Sequence, residues 1–263
     1  MLLAIDAGNT SVSLGLFPES EPMGSEPLGQ WRIRSDARMT ADELALQVRG
    51  MLSVPTAAVT GVCALSTVPE LLRSIRAMLP RYLPDAAPVL LAPGVKTGVP
   101  LHVDNPREVG TDRVANAAAA HEIYGGPCII VDLGTSFRVD AVSAKGEFLG
   151  GAIAPGMDIA LDALADRTVA LRRVEMSPPR SVVGKNTVEA LQAGVLLGFA
   201  ALIDGLVERA RDEVPELADA TVVATGGDTA ALAHTRTVEL HRPDLTLQGL
   251  RVVYGRESAR RRR

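Results

Sequence analysis

Leu2-Leu-Ala-Ile-Asp-Ala-Gly-Asn-Thr10, followed by Val12-Ser-Leu-Gly-Leu16, has a counterpart far along the chain. It is Cys128-Ile-Ile-Val-Asp-Leu-Gly-Thr-Ser136, followed by Val139-Asp-Ala-Val142. Each stretch reads as a buried strand, a turn carrying Asp, Gly and a hydroxyl in the same order, and a second strand. Asp132 follows Asp6 by 126 positions, nearly half of the 263 residues. Two copies of one strand-turn-strand unit, half a chain apart, predict a duplicated fold with one copy opening each half. Helical stretches fill the spaces between. Thr40-Ala-Asp-Glu43 is a capping box ahead of Leu44, Val48 and Leu52 at helical spacing. Thr67-Val-Pro-Glu70 starts a second helix, with Pro69 where its missing N–H does no harm. The Ala-rich stretch 110–124 predicts a helix that stops at Gly125-Gly126. Asn186-Thr-Val-Glu189 caps the longest helix, expected to run to about Asp212. Residues 59–65, 89–91 and 221–224 read as strands, with a Pro/Gly-rich loop over 93–100. Strands alternating with helices give the α/β class, with domains expected over 1–125 and 126–263.

The first turn has the chemistry of a phosphate loop, although an ordinary β-turn would read the same way. Gly8 lets the backbone bend tightly, so that successive N–H groups can cradle phosphate oxygens. Asn9 and Thr10 add neutral donors, and Asp6 at the strand end can hold a water on a Mg²⁺ ion. A second such loop at Asp132, and the late Gly226-Gly227 for the adenine side, give the layout of a nucleotide-binding protein. Asp112 falls in the first turn of its helix, where a carboxylate also complements the helix dipole.

Composition bounds the partners. Hydrophobic residues make up 47 % and charged residues 22 %, as in an ordinary globular chain, and aromatics only 3 %, so the core is aliphatic. A net charge of −4 argues against a nucleic-acid binder. The basic block of Arg256 and Arg260 to Arg263 reads as a solvated end. Cys63 and Cys128 each sit in an apolar run, as buried reduced thiols do, and give neither a disulfide framework nor a zinc spacing. The N-terminus turns acidic at Asp6, too soon for a signal peptide. The longest apolar run, 195–203, contains Gly198 and ends at Asp204, short of a membrane span. A cytoplasmic protein without a membrane partner is expected.

Four further segments make the chain resemble the type III pantothenate kinases: Asn105-Pro-Arg-Glu-Val-Gly-Thr-Asp-Arg113, Gly150-Gly-Ala-Ile-Ala-Pro-Gly156, Gly184-Lys-Asn-Thr187 and Leu245-Thr-Leu-Gln-Gly-Leu250. They keep that family's order and spacing over almost the whole chain. The resemblance implies duplicated actin-like (ribonuclease H-like) domains with a nucleotide cleft between them. It implies ATP-dependent phosphorylation of pantothenate to 4′-phosphopantothenate, the first step toward coenzyme A. Mg²⁺, a monovalent cation (K⁺ or NH₄⁺) and a homodimer with its active site at the subunit interface belong to the same implication. Roles carry over by position. Asp6, Ala7, Gly8, Asn9, Thr10, Ser11, Val12 and Ser13 match the first ATP loop. Gly110, Thr111, Asp112 and Arg113 match the substrate segment, with Asp112 the base. Arg113 suits a carboxylate, which a planar guanidinium binds in a bidentate way. Asp132 matches the monovalent-cation ligand, Thr135 an ATP contact and Thr187 a substrate contact.

The second loop departs from the family pattern. Relatives usually carry Asp-x-Gly-Thr-Ala-Thr-Thr, whereas this chain has Asp132-Leu-Gly-Thr-Ser-Phe-Arg138. Two small hydroxyl donors are replaced by a ring and a cation. Losing one polar contact in a closed site costs roughly a hundredfold in rate. Val103 stands where many relatives have Tyr, and Thr111 where they have Ala. Three functions stay open: a working pantothenate kinase, a divergent paralogue acting on another small hydroxyl compound or only weakly, and a non-catalytic binding or regulatory protein. Register across the Gly134 turn decides whether Arg138 faces solvent or points inward, to pair with Asp132 or a nucleotide phosphate. In the second case its charge could make the monovalent cation dispensable.

Overall fold

The computed structural model describes residues 1–19, 21–92, 95–167, 174–227 and 229–261, and its backbone forms two compact units. The first comprises Met1–Gly125, Gly146–Phe148 and Asp244–Arg263, the second Gly126–Lys145 and Leu149–Pro243.

In the first unit β1 (Leu2–Ala7), β2 (Ser11–Phe17) and β3 (Gly29–Arg34) form an antiparallel meander. After α1 (Ala41–Met51), β4 (Gly61–Ser66) pairs parallel with the other edge of β1. After α2 (Pro69–Tyr82), β5 (Ala87–Leu91) pairs parallel with β4, giving the order β3-β2-β1-β4-β5. Leu2 to Ile5 are all buried, the continuous apolar pattern of a central strand covered on both faces. Leu44 and Val48 of α1 and Leu71, Ile75 and Met78 of α2 pack into one cluster with Leu3, Ile5 and Leu14. The Thr40 capping box forms as expected: the Thr40 hydroxyl accepts from the Glu43 N–H at 3.3 Å, and the Thr40 N–H donates back to Glu43 Oε2 at 2.8 Å. Of the loop expected over 93–100, residues 93 and 94 lie outside the described set. α3 (Thr111–Tyr124) ends at Gly125, whose φ is +65°.

The second unit repeats the topology strand for strand. β6 (Cys128–Leu133) and β7 (Ser136–Val142) are the antiparallel hairpin, and β8 (Phe148–Pro155) lies beside β7. α4 (Met157–Arg167), α5 (Thr187–Gln192) and α6 (Gly198–Glu213) come next, with a π-helical turn, Ala193–Leu197, joining α5 to α6. β9 (Thr221–Gly226) pairs parallel with β6, and β10 (Leu240–His241) parallel with β9. The order β8-β7-β6-β9-β10 is the counterpart of β3-β2-β1-β4-β5.

The helical run Thr187–Glu213 is long and apolar enough, by length and composition alone, to cross a membrane, which the sequence had not suggested because Gly and Asp interrupt its apolar residues. Leu196, Ile203 and Val207 lie in the second unit's core with Ile129, Val131 and Val139, so one face of the run packs in that core. Cys63 and Cys128 are buried and unbridged, and burial pushes the Cys128 thiol up to about 11.

The last helix, α7 (Leu245–Arg261), belongs with the first unit, whereas a cut at 125/126 would group it with the second. Its packing on α3 is the reason. Gly249 lies so close to α3 that a Cβ there would fall 2.0 Å from the Ala115 carbonyl oxygen. Thr246 Oγ1 donates to Asn116 Oδ1 at 2.8 Å, and Arg256 pairs with Glu122 at 2.9 Å. Buried Gln248 donates to Asp244 Oδ2 at 2.7 Å and to the Ser25 carbonyl at 2.8 Å. The Leu245-Thr-Leu-Gln-Gly-Leu250 segment is therefore a helix-packing device. At the basic end Arg260 and Arg261 are exposed, as expected, with Arg260 paired to buried Glu257 at 2.9 Å, while Arg262 and Arg263 lie outside the described residues.

Candidate active site

Pairing of β1 with β2 runs as far as Ala7 opposite Val12, leaving Gly8, Asn9, Thr10 and Ser11 to make the turn. The Gly8 N–H donates to the Ser11 carbonyl at 2.9 Å and closes it, so Asn9 and Thr10 form the exposed tip. Neighbours tie the turn down. The Ala7 carbonyl accepts from Ser66 Oγ at 2.9 Å and from the Thr67 N–H at 3.1 Å, and the Thr10 carbonyl accepts from the Ser35 N–H at 3.1 Å. Asp6 is half-buried and faces Ser13 across the hairpin, while Val12 points into the core.

Gly110 immediately precedes α3, and Asp112 and Arg113 lie in its first turn. A Cβ on Gly110 would fall 2.4 Å from Asp112 Oδ1, so the carboxylate occupies the space a side chain would need. The Arg113 guanidinium carbon lies 5.0 Å from the centroid of the Phe148 ring, a cation–π stack. Phe148 is itself clamped: its N–H donates to the Pro100 carbonyl at 2.8 Å, and its carbonyl accepts from the His102 N–H at 2.9 Å. Thr111 forms part of the wall of a cavity of about 490 Å³, with Val99, Val109 and Val114 as apolar lining and Lys96 and Arg107 as cations. The role of Phe148 was not read from the sequence. Its signal is faint, a single ring in a chain with four Phe residues.

In the second unit Leu133 opposes Phe137, so Gly134, Thr135 and Ser136 make the turn and Asp132 stands opposite Arg138. This turn is one residue shorter than the first. Alternation along the hairpin then sorts the side chains. Ile129, Val131, Leu133, Phe137 and Val139 all enter the core cluster under α6. Phe137 is fully buried and meets Phe199 edge-on, with ring centroids 6.2 Å apart. The ring that replaces a small hydroxyl residue is thus turned by β7 into the core, toward the helix. Arg138 lies on the opposite face, and its Nη2 donates to Asp132 Oδ2 at 2.5 Å. Their side chains are only 16 % and 11 % exposed. A guanidinium in place of a neutral partner makes this a charge-assisted bond sheltered from water.

Across the other edge, Asp132 neighbours Thr225 in register. At the end of β9, Gly226 has φ +98°, and a Cβ there would come within 2.2 Å of the Leu133 carbonyl oxygen; only glycine fits. The Gly227 N–H then donates to that carbonyl at 3.0 Å. Thr187 is exposed in the first turn of α5, next to Asn186, whose Oδ1 accepts from the Glu189 N–H at 2.9 Å. Glu189 also pairs with Arg180 and accepts from the Lys185 N–H at 3.2 Å, and these contacts, the Lys185 N–H foremost, hold its carboxyl below the usual value. Among the described residues no three His, Cys, Asp or Glu side chains are grouped to hold a metal ion.

Comparison with known proteins agrees with this layout. Residues 2–209 match the family model described as Type III pantothenate kinase. A type III pantothenate kinase of Rhodococcus jostii (strain RHA1) is 59 % identical, over 99 % of this chain and 97 % of the relative. The one from Nocardia farcinica (strain IFM 10152) is 54 % identical over the full length of both. Solved structures share the fold at low identity. An inorganic polyphosphate/ATP-glucomannokinase from Arthrobacter sp. strain KM aligns at TM-score 0.55 and 14 % identity, covering 97 % and 98 % of the two chains. The (R)-2-hydroxyglutaryl-CoA dehydratase component A of Acidaminococcus fermentans aligns at 0.57 and 14 %, covering 98 % of each.

Proposed function

Since the chain belongs to the type III pantothenate kinase family, we infer that it transfers the γ-phosphoryl group of ATP to pantothenate, giving 4′-phosphopantothenate and ADP. This is the first step of coenzyme A synthesis. The observation that carries the chemistry is the start of α3, where Asp112 and a ring-stacked Arg113 both lie in the first turn. Arg113 binds the substrate carboxylate, and Phe148 keeps the guanidinium plane oriented for a bidentate contact. The substrate hydroxyl oxygen forms its bond to the γ-phosphorus as the bond to the β–γ bridging oxygen breaks. The electron pair leaves on ADP, and the hydroxyl proton passes to Asp112. Such a reaction asks the protein mainly for positioning and charge stabilisation.

Residues 6–13 grip the ATP phosphates, with Asn9 and Thr10 at the tip, and Thr135 adds a nucleotide contact. Gly110 and Thr111 shape the substrate segment, and Thr187 contacts the substrate. Mg²⁺ fits Asp6, a half-buried carboxylate beside that tip, because this ion needs only one or two carboxylates besides water and phosphate. Bound there, the ion would neutralise phosphate charge. Asp132, the position expected to ligate K⁺ or NH₄⁺, is engaged by Arg138, so no step is assigned to such an ion. A homodimer built on the Thr187–Glu213 helical run accounts for its exposed Val188 and for Val182 and Val183 just before it, both 71 % exposed. The cytoplasm, where its two substrates and its reduced cysteines belong, is the proposed compartment.

The test is an ADP-release assay with pantothenate and MgATP, with the product identified by mass. Asp112→Asn is expected to lower kcat at least about a thousandfold with an unchanged circular dichroism spectrum. Near-normal turnover by the folded variant would refute the assignment of Asp112.

A further inference from the structure

We propose that Arg138 is a built-in replacement for the monovalent cation beside Asp132, so that this protein binds its nucleotide without K⁺ or NH₄⁺. The proposal rests on the kinase reading above, in which Asp132 and Thr135 belong to the second nucleotide loop.

A carboxylate set beside an anionic nucleotide repels it unless a positive charge lies between. Elsewhere in the family that charge is expected to be a mobile ion held by this aspartate. Here the aspartate stands directly opposite an arginine, with Nη2 at 2.5 Å from Oδ2. An ion ligated by that same oxygen would have to share it with a guanidinium, and like charges at such range exclude each other. The donor set does not fit the ion. It fits the charge that the ion would bring.

Three features keep the arginine in place. Phe137 and Val139, on either side of it in sequence, are buried in the core under α6, which fixes the rotational phase of β7. A slip of one residue would bury Arg138 and expose both, so the strand has no alternative register at comparable energy. The short turn through Gly134, Thr135 and Ser136 sets the parity that brings position 138, and not 137, opposite Asp132. The first hairpin offers the contrast, since Asp6 is opposed there by Ser13, a neutral residue. An arginine stays protonated at every physiological pH, so its charge cannot be diluted away as a bound ion can.

The experiment measures MgATP affinity by calorimetry in K⁺ and in tetramethylammonium at equal ionic strength, and runs the ADP-release assay in the same two salts. The expected result is a wild-type Kd and KM that agree within about twofold between salts. Arg138→Thr, which restores a small hydroxyl residue, is expected to bind MgATP at least about tenfold more tightly in K⁺ than in tetramethylammonium. Arg138→Lys, which keeps a charge, is expected to stay indifferent. A wild-type protein whose Kd weakens tenfold or more without K⁺ overturns the proposal, whatever the variants do. An Arg138→Thr protein that binds MgATP equally in both salts overturns it too, since the arginine would then not be what removes the need. Salt-indifferent MgATP binding without pantothenate phosphorylation would sink the kinase reading and leave this one standing. Phosphorylation that needs K⁺ would do the reverse, and failure to bind MgATP in either salt would refute both.

Discussion

Gly110 carries no backbone strain: its φ and ψ of −58° and 139° are open to any residue. What excludes a side chain there is the Asp112 carboxylate, 2.4 Å from where a Cβ would stand. Gly110→Ala is therefore a test of carboxylate position alone. Its kcat is expected to fall about a hundredfold, the cost of moving a catalytic group by an ångström or so, while the melting temperature stays within a few degrees. A normal kcat would show that Asp112 works from elsewhere. Arg113→Lys keeps the charge but loses the planar fork and most of the stack on Phe148. A rise of about tenfold or more in the KM for pantothenate, with a smaller change in kcat, is the expected outcome. The placement of both residues at a helix start was legible in the sequence, because Gly-x-Asp-Arg ahead of an Ala-rich run is a local pattern. Phe148 was not, since it reaches Arg113 only through hydrogen bonds to Pro100 and His102, far off in sequence. The facing of Arg138 was half legible. Its even spacing from Asp132 can be counted in the sequence, but the length of the turn that preserves the parity cannot.

Helices and caps were the easiest elements to foresee, since Thr40, Pro69, Gly125 and Asn186 mark their ends with local chemistry. The π-helical turn at Ala193–Leu197 left no such mark, because a shifted hydrogen-bond ladder changes no composition. Nor did the pairing of α7 with α3, which depends on contacts more than a hundred residues apart. Gly249→Ala tests that pairing. Its Cβ would strike the Ala115 carbonyl, a backbone atom that cannot swing away. Trp31 is the sole tryptophan and lies in β3, so its fluorescence reports the first unit. The urea midpoint followed by Trp31 is expected to drop by the equivalent of about 2 kcal/mol. In the second unit, Asp204 of α6 accepts from the Arg236 N–H at 2.9 Å and from the Thr237 N–H and hydroxyl at 3.0 and 2.8 Å. Burial works to raise its carboxyl, but these donors outweigh burial and hold it below 3.8. A depressed carboxyl stabilises above its unfolded value and ceases to do so as pH falls through its folded one. The stabilisation should thus be complete at pH 7 and fade below about pH 4. Asp204→Ala leaves these donors and the Arg236 Nε–H, 3.3 Å from Oδ2, unpaired and is expected to cost about 3 kcal/mol at pH 7, and less at pH 3, by chemical denaturation followed by circular dichroism.

Across the whole molecule the duplication is the feature the sequence announced most clearly, through one echo of Asp, Gly and hydroxyl at two turns. The matching strand orders bear it out. The division of the chain was less visible, for the first unit is discontinuous and is completed by residues 244–263. That arrangement sets an order of events during synthesis. The ribosome must finish the entire second unit before it makes the helix that covers Ala115 and Asn116 of α3. At about 5–20 residues per second, the N-terminal half waits on the order of ten seconds for its last piece. The half made first is the half finished last, and over that interval its uncovered α3 face stays open to chaperones and proteases.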